Sequence, residues 1–198
     1  GAVDSASQSA PLQFRGDATY WITGGAGGIG ILLARWLIDH GARHIILSGR
    51  RTSNPDLETT LKRLRTDGTQ IEYLPCDVGD AASVQALLGS IDTVNRPLAG
   101  IFHLAGGLDD GFVAELSWPR FETALRPNLA GAWHLHEQTL DRPIDFLCFF
   151  SSIASQLGSP KQANYAAANA FLDGLAEYRR AAGLPATSIG WGPWAEAG

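Results

Sequence analysis

Between Asp17 and Trp191, apolar runs of strand length take turns with segments of helical period, joined by short connections. Residues 18–22, 44–47, 71–74, 100–104, 144–150 and 186–191 read as strands. Residues 29–40, 56–67, 81–92, 118–140 and 164–182 read as helices. In the first helix Leu32, Leu33, Trp36 and Leu37 share one face, and Gly41 closes it. Pro127 lies inside the fourth helical segment and predicts a kink or restart there. Such alternation leads to a parallel sheet covered on both faces, because right-handed crossovers lay the helices on either side. Residues 1–16 are small and polar and read as a linker, leaving 17–198 as one α/β domain.

Composition removes several alternatives. Hydrophobic residues make up 45% of the 198, enough for a full core, and the formal net charge is −5, so no basic field exists to hold a nucleic-acid backbone. Cys76 and Cys148 both sit in apolar stretches and read as reduced, buried thiols. No run approaches a membrane span and no charged-then-apolar leader opens the chain, which suits a cytoplasmic setting without membrane contact. The histidines show no ligand spacing, so no metal is expected. Of the fifteen basic residues only Lys62 and Lys161 are lysines.

The segment from Thr23 to Gly30, TGGAGGIG, joins the first strand to the first helix and contains Gly25-x-Gly27-x-x-Gly30. Glycines there permit a tight turn and close backbone approach, and the helix start offers free N–H groups to a pyrophosphate. The pattern alone would be a flexible turn. In its strand–turn–helix setting it points to a dinucleotide, with Gly24, Gly25, Gly27, Gly28 and Ile29 as candidate contacts, on a Rossmann-like doubly wound sheet. The second strand ends Ser48-Gly49-Arg50-Arg51, with no carboxylate before Asp56. Guanidinium groups there favour a 2′-phosphate, hence NADPH, over a bare ribose. Otherwise these arginines are solvated loop charges.

Ser152 follows the fifth strand, Tyr165 opens the next helix, and Asn169 lies one turn further on the same helical face. A tyrosine hydroxyl can protonate a carbonyl oxygen as hydride reaches the carbon, while a serine hydroxyl holds that oxygen. Taken alone these residues are a polar helix start; together with the glycine loop they form a candidate catalytic set.

With these stretches in view, together with FHLAGGLDDG (102–111), FFSSIASQLGSPKQANYAAANAFLDGLA (149–176) and GWGPWAEAG (190–198), the chain resembles the catalytic subdomain of a ketoreductase of modular type I polyketide synthases, in the short-chain dehydrogenase/reductase superfamily. The resemblance implies Ser152 and Tyr165 as the catalytic pair and Asn169 as the active-site asparagine. It puts Asp77 and Val78 at the adenine, Ala105 and Gly106 along the nicotinamide ribose, and Gly192 and Pro193 beside the nicotinamide. It implies a β-ketoacyl thioester on an acyl carrier protein as substrate, with a structural subdomain and other synthase domains as neighbours. Leu108-Asp109-Asp110, Pro160 and Asn164 resemble the B-type members, which give a D-β-hydroxy product, and Leu157 stands where A-type members carry tryptophan. Relative to the family architecture, a preceding structural subdomain, a lid helix and a last strand are expected to be missing.

One position departs from the family. Its active-site lysine corresponds to Asn128, and the alternative lysine site of the superfamily corresponds to Asn169. Lys161, four residues before Tyr165, is the only lysine near in sequence. Three functions stay open: an NADPH-dependent reductase slowed by Asn128 or served by Lys161, a redox-silent binding scaffold, and an α-carbon epimerase.

Overall fold

The computed structural model describes residues 12–65 and 68–195. Six parallel strands form one sheet: β1 (Thr19–Thr23), β2 (His44–Gly49), β3 (Gln70–Pro75), β4 (Leu98–His103), β5 (Phe146–Ser152) and β6 (Thr187–Trp191), in spatial order β3-β2-β1-β4-β5-β6. The strand order reverses between β1 and β4, and Thr23 stands in register with His103 at the C-terminal ends of that pair. In open sheets of this kind ligands settle outside the strand ends where the order reverses.

Successive side chains of the inner strands go to opposite faces. Trp21, Ile46, Ile101 and Leu147 meet α3 (Ala81–Asp92), α5 (Ala132–Glu137) and α7 (Ala163–Ala181). Tyr20, Ile22, Ile45 and Leu47 meet α1 (Gly28–Asp39) and α2 (Pro55–Leu64). β1 and β4 are buried along their whole length, whereas the edge strand β3 exposes Gln70 and Glu72. Cys76 and Cys148 are free, buried thiols, and burial pushes Cys148 up to about 11. Among the described residues no helix is long and apolar enough to cross a membrane.

Three expectations change. The buried side of α1 is Gly30, Ala34 and Leu37, while Leu32 and Trp36 face outward. Small residues face inward because α1 begins pressed against the glycine loop. The linker also ends earlier than residue 16: Phe14 accepts no solvent role but packs edge-on to Tyr20 and Trp36, at 5.2 and 5.3 Å, and its N–H donates to the His40 carbonyl. Residues 1–11 lie outside the described part. Finally, segment 118–140 is not one kinked helix. It divides into α4 (Trp118–Leu125), a wide π-type turn (Arg126–Gly131) and α5, with Pro127 opening the wide turn. A short helix α6 (Ala154–Leu157), which carries no periodic signal of its own, follows β5.

Candidate functional site

A crevice of about 660 Å³ opens at the reversal point. Its walls include Gly24, Gly49, Arg50, Asp77, Val78, Leu104, Ala105, Gly106, Arg126 and Pro127. Six of the positions singled out from sequence, Gly24, Arg50, Asp77, Val78, Ala105 and Gly106, line it together. Gly24 has φ +67, and a Cβ on it would stand 2.8 Å from the Ala105 nitrogen. A Cβ on Gly30 would stand 2.6 Å from Gly25 Cα. The glycines thus let β1, the start of α1 and the chain after β4 crowd together. Gly27 is the N-cap of α1, with no side-chain cap and no acidic residue in the first turn, so the positive end of the helix is unneutralised. Gly25, Gly28 and Ile29 belong to the same turn without lining the crevice.

Ser48 has a different task from the expected one. Its hydroxyl is buried and accepts from the Trp21 indole N–H at 2.8 Å, and its carbonyl accepts from the Gly25 N–H at 3.0 Å. It holds the glycine loop from behind. The loop after β3 is tied by Asp77, whose Oδ2 lies 3.0 Å from Arg126 Nη2 and whose Oδ1 accepts from the Gly79 N–H. Arg126 was not singled out from sequence; its only signal was adjacency to Pro127.

The wide turn carries Asn128 inward. Asn128 is 3% exposed, and its carboxamide oxygen has no hydrogen-bond partner among the described residues. That oxygen faces Gly106. Among the described residues no ammonium stands in for the lysine that the family resemblance implies: Lys161, at φ 64, sends its Nζ over the Phe112 ring, 4.8 Å from the centroid. Lys62 lies on α2, far along the chain and on the sheet's other face. Behind Asn128, His103 is 1% exposed and burial pushes it down to about 4, only partly opposed by its hydrogen bond to the Pro127 carbonyl.

Ser152 ends β5 and Tyr165 lies in the first turn of α7, both half-buried. Ser152 Oγ accepts from the Ala154 N–H at 3.2 Å, which orients the hydroxyl and leaves its proton for another oxygen. Asn169 is buried and its Nδ2 donates to the Tyr165 carbonyl at 2.8 Å. Its carbonyl accepts from Ser151 Oγ, joining α7 to β5. Asp173, one turn on, braces the same joint. Burial works to raise its carboxyl, but hydrogen bonds from Ser155, Ser188, Ser151 and Gln156 outweigh this and hold it below the usual range.

The segment 108–111 is stapled to the start of α7. Arg120 donates from Nε and Nη2 to Asp109 Oδ1, at 2.8 and 2.6 Å. Buried Asn164 donates to the Asp109 carbonyl at 2.9 Å, Gln162 donates to the Asp110 carboxylate, and the Gly111 N–H donates to the Lys161 carbonyl. Leu108 and Leu157 stand exposed, at 63% and 77%, and Pro160, three residues after Leu157, is exposed too. Gly192 and Pro193 are exposed just after β6, outside the crevice lining.

A parallel, doubly wound sheet with a glycine turn where the strand order reverses defines a Rossmann-like, nucleotide-binding architecture. Residues 18–196 match the family described as KR domain, and the chain belongs to that family, the ketoreductase domains of polyketide synthases. It is 42% identical over 184 residues to a phenolphthiocerol synthesis polyketide synthase type I of Mycobacterium marinum, covering 92% of this chain and 9% of that protein. It is 45% identical over 183 residues to the spectinabilin polyketide synthase system protein NorB of Streptomyces orinoci, covering 91% and 8%. A solved ketoreductase domain from the bacillaene assembly line superposes with TM-score 0.91 at 37% identity, covering 97% of this chain and 48% of that one. A solved A-type ketoreductase from a modular polyketide synthase gives 0.85 at 40%, covering 100% and 41%. The chain therefore spans about a tenth of the curated relatives and under half of the solved chains, and the relatives are parts of multidomain synthases. Domains of this family work with a nicotinamide cofactor.

Proposed function

We propose that this chain reduces a β-ketoacyl thioester, carried by an acyl carrier protein, to the D-β-hydroxyacyl thioester in the cytoplasm, with NADPH as reductant and with a structural subdomain and other synthase domains as neighbours. One observation carries the reading: β1, β4 and β5 are neighbouring parallel strands, so the glycine turn after β1, the Ala105–Gly106 wall after β4 and Ser152 at the end of β5 lie on the same C-terminal side of the sheet, with Tyr165 at the start of the helix tied to β5.

The residues present fit a dinucleotide. Gly24 lets the turn close against the Ala105 backbone at the crevice wall, the uncapped start of α1 suits a pyrophosphate, and the unpaired Asn128 oxygen suits a ribose hydroxyl. Arg50 at the end of β2 suits a 2′-phosphate. When bound, NADPH supplies the hydride. Tyr165 gives its phenolic proton to the substrate carbonyl oxygen. Ser152, oriented by the Ala154 N–H, donates to the same oxygen and steadies the charge that develops there. Asn169 braces the backbone at Tyr165. The D-configuration rests on the stapled Leu108-Asp109-Asp110 segment with Pro160, Asn164 and Leu157, rather than on overall similarity, which extends to an A-type enzyme.

The test is NADPH oxidation with a β-ketoacyl N-acetylcysteamine thioester, followed at 340 nm. Turnover that falls by orders of magnitude in Tyr165→Phe supports the proposal. Folded protein that binds NADPH and never oxidises it favours a second reading, a redox-silent binding domain, for which Asn128 in place of an ammonium is the specific ground.

A further inference from the structure

We propose that His103 is a positioning residue: as the Nε2–H tautomer, its neutral ring locks the ends of β1 and β4 to the wide turn, and so sets the width of the crevice that receives the dinucleotide. This rests on the NADPH reading above.

The contacts determine where each proton lies. Pro127 presents only a carbonyl to His103 Nε2, at 3.2 Å, so Nε2 carries hydrogen. Thr23 Oγ1 receives the N–H groups of Ala105 and, shared with the Thr23 carbonyl, of Leu104, each at 3.2 Å, which occupies its lone pairs. Its own proton then goes to His103 Nδ1, 2.8 Å away. The other tautomer would leave Nδ1–H and the two amides competing for one oxygen, and would turn a lone pair on Nε2 toward a carbonyl. Every group is satisfied in one arrangement only.

The ring is also held by packing. Phe149 meets it edge-on at 6.0 Å and 89°. A Cβ on Gly131, the last residue of the wide turn, would stand 3.4 Å from His103 Cε1. One side chain thus joins three segments around the crevice: Thr23 precedes the glycine turn, Ala105 lies in the segment after β4, and Pro127 precedes Asn128. His103 touches none of the space itself, so its influence passes through these neighbours.

The experiment uses the whole chain. Thr23→Val keeps shape and removes the hydroxyl, leaving the Ala105 amide and Nδ1 without a partner while the Leu104 amide keeps the Thr23 carbonyl. We expect its NADPH dissociation constant, by fluorescence titration, to rise about tenfold, the equivalent of one lost hydrogen bond. Thr23→Ser should restore it to within about threefold of wild type, because the hydroxyl returns. In turnover the effect should fall on the KM for NADPH more than on kcat. Nitrogen-15 NMR of the wild-type imidazole should report a protonated Nε2 and a bare Nδ1 at pH 7. An Nδ1–H tautomer, or folded Thr23→Val with unchanged NADPH affinity, overturns the inference. Should Thr23→Val fail to fold, His103→Gln takes its place with the same expected loss, and the tautomer is read on wild type regardless. Wild-type protein with the expected tautomer but no NADPH affinity overturns the coenzyme reading, and with it the link from this ring to the crevice, while leaving the hydrogen-bond assignment standing.

Discussion

The carboxamide oxygen of Asn128 faces Gly106 so closely that a methyl group on that glycine would lie 3.4 Å from it. Gly106 lines the crevice and Asn128 stands buried behind it, a neutral polar group at the position where the family resemblance implies an ammonium. Asn128→Lys should therefore raise kcat about tenfold or more, since a positioned charge in a water-poor site strengthens proton transfer. Steady-state rates with the thioester substrate check this. A folded Lys variant with no gain in kcat contradicts the assignment of Asn128 to the reacting end of the crevice.

Two glycines of the same turn should respond differently. A methyl on Gly30 would meet the backbone of Gly25 at 2.6 Å, and backbone cannot rotate away. Gly30→Ala should cost about 1–3 kcal/mol of stability in denaturant titrations. A methyl on Gly27 meets only the Gly24 carbonyl, at 3.4 Å. Gly27→Ala should keep its stability yet bind NADPH more weakly, because the methyl lies at the uncapped helix start.

Arg50 lines the crevice where β2 ends. Replacing it with leucine removes a planar set of donors suited to phosphate. The ratio of kcat/KM for NADPH over NADH should drop about tenfold. An unchanged ratio would assign the 2′-phosphate elsewhere.

Acid sensitivity follows from His103. Its ring is held down to about 4, against an ordinary value of 6.5. Above the ordinary value the contribution to stability is complete. As pH falls toward 4 the unfolded chain takes up the proton first, and stability is lost across that window, by about 3 kcal/mol in all. His103→Gln should be less stable at pH 7.5 but show a shallower fall between pH 6.5 and 4.5 in chemical denaturation.

The Arg120–Asp109 pair should govern product configuration. Both Nε and Nη2 of Arg120 reach one oxygen of Asp109, so this carboxylate is committed to shaping its own segment. Arg120→Leu should erode the diastereomeric purity of the β-hydroxy product, read by chiral chromatography, with a smaller effect on NADPH affinity.

The alternation of strands and helices was legible because each inner strand is built on a short apolar run and most helices are bounded by glycine, proline or a capping side chain such as Asn54 or Asp80. The glycine turn was legible for a related reason, since few other sequences permit such close approach. What sequence did not give depends on contacts between distant segments. Ser48 looks like a ligand residue until Trp21 is found donating to it. Lys161 looks like a substitute cation until Phe112 is found beneath it. Arg126 carries no local signal, because its meaning comes from Asp77, far earlier in the chain. Pro127 announced a break, but a proline specifies where hydrogen bonding fails and not whether the turn tightens or widens.

That widening sets the reading frame of the crevice. In a regular helix each residue advances the azimuth by about 100°, so deleting a single amino acid from Arg126–Gly131 would restore even winding and swing position 128 toward solvent or the sheet. Substitutions at 128 can be accommodated one at a time; changes of length there cannot, and natural variation in this stretch should accumulate as exchanges and not as gaps.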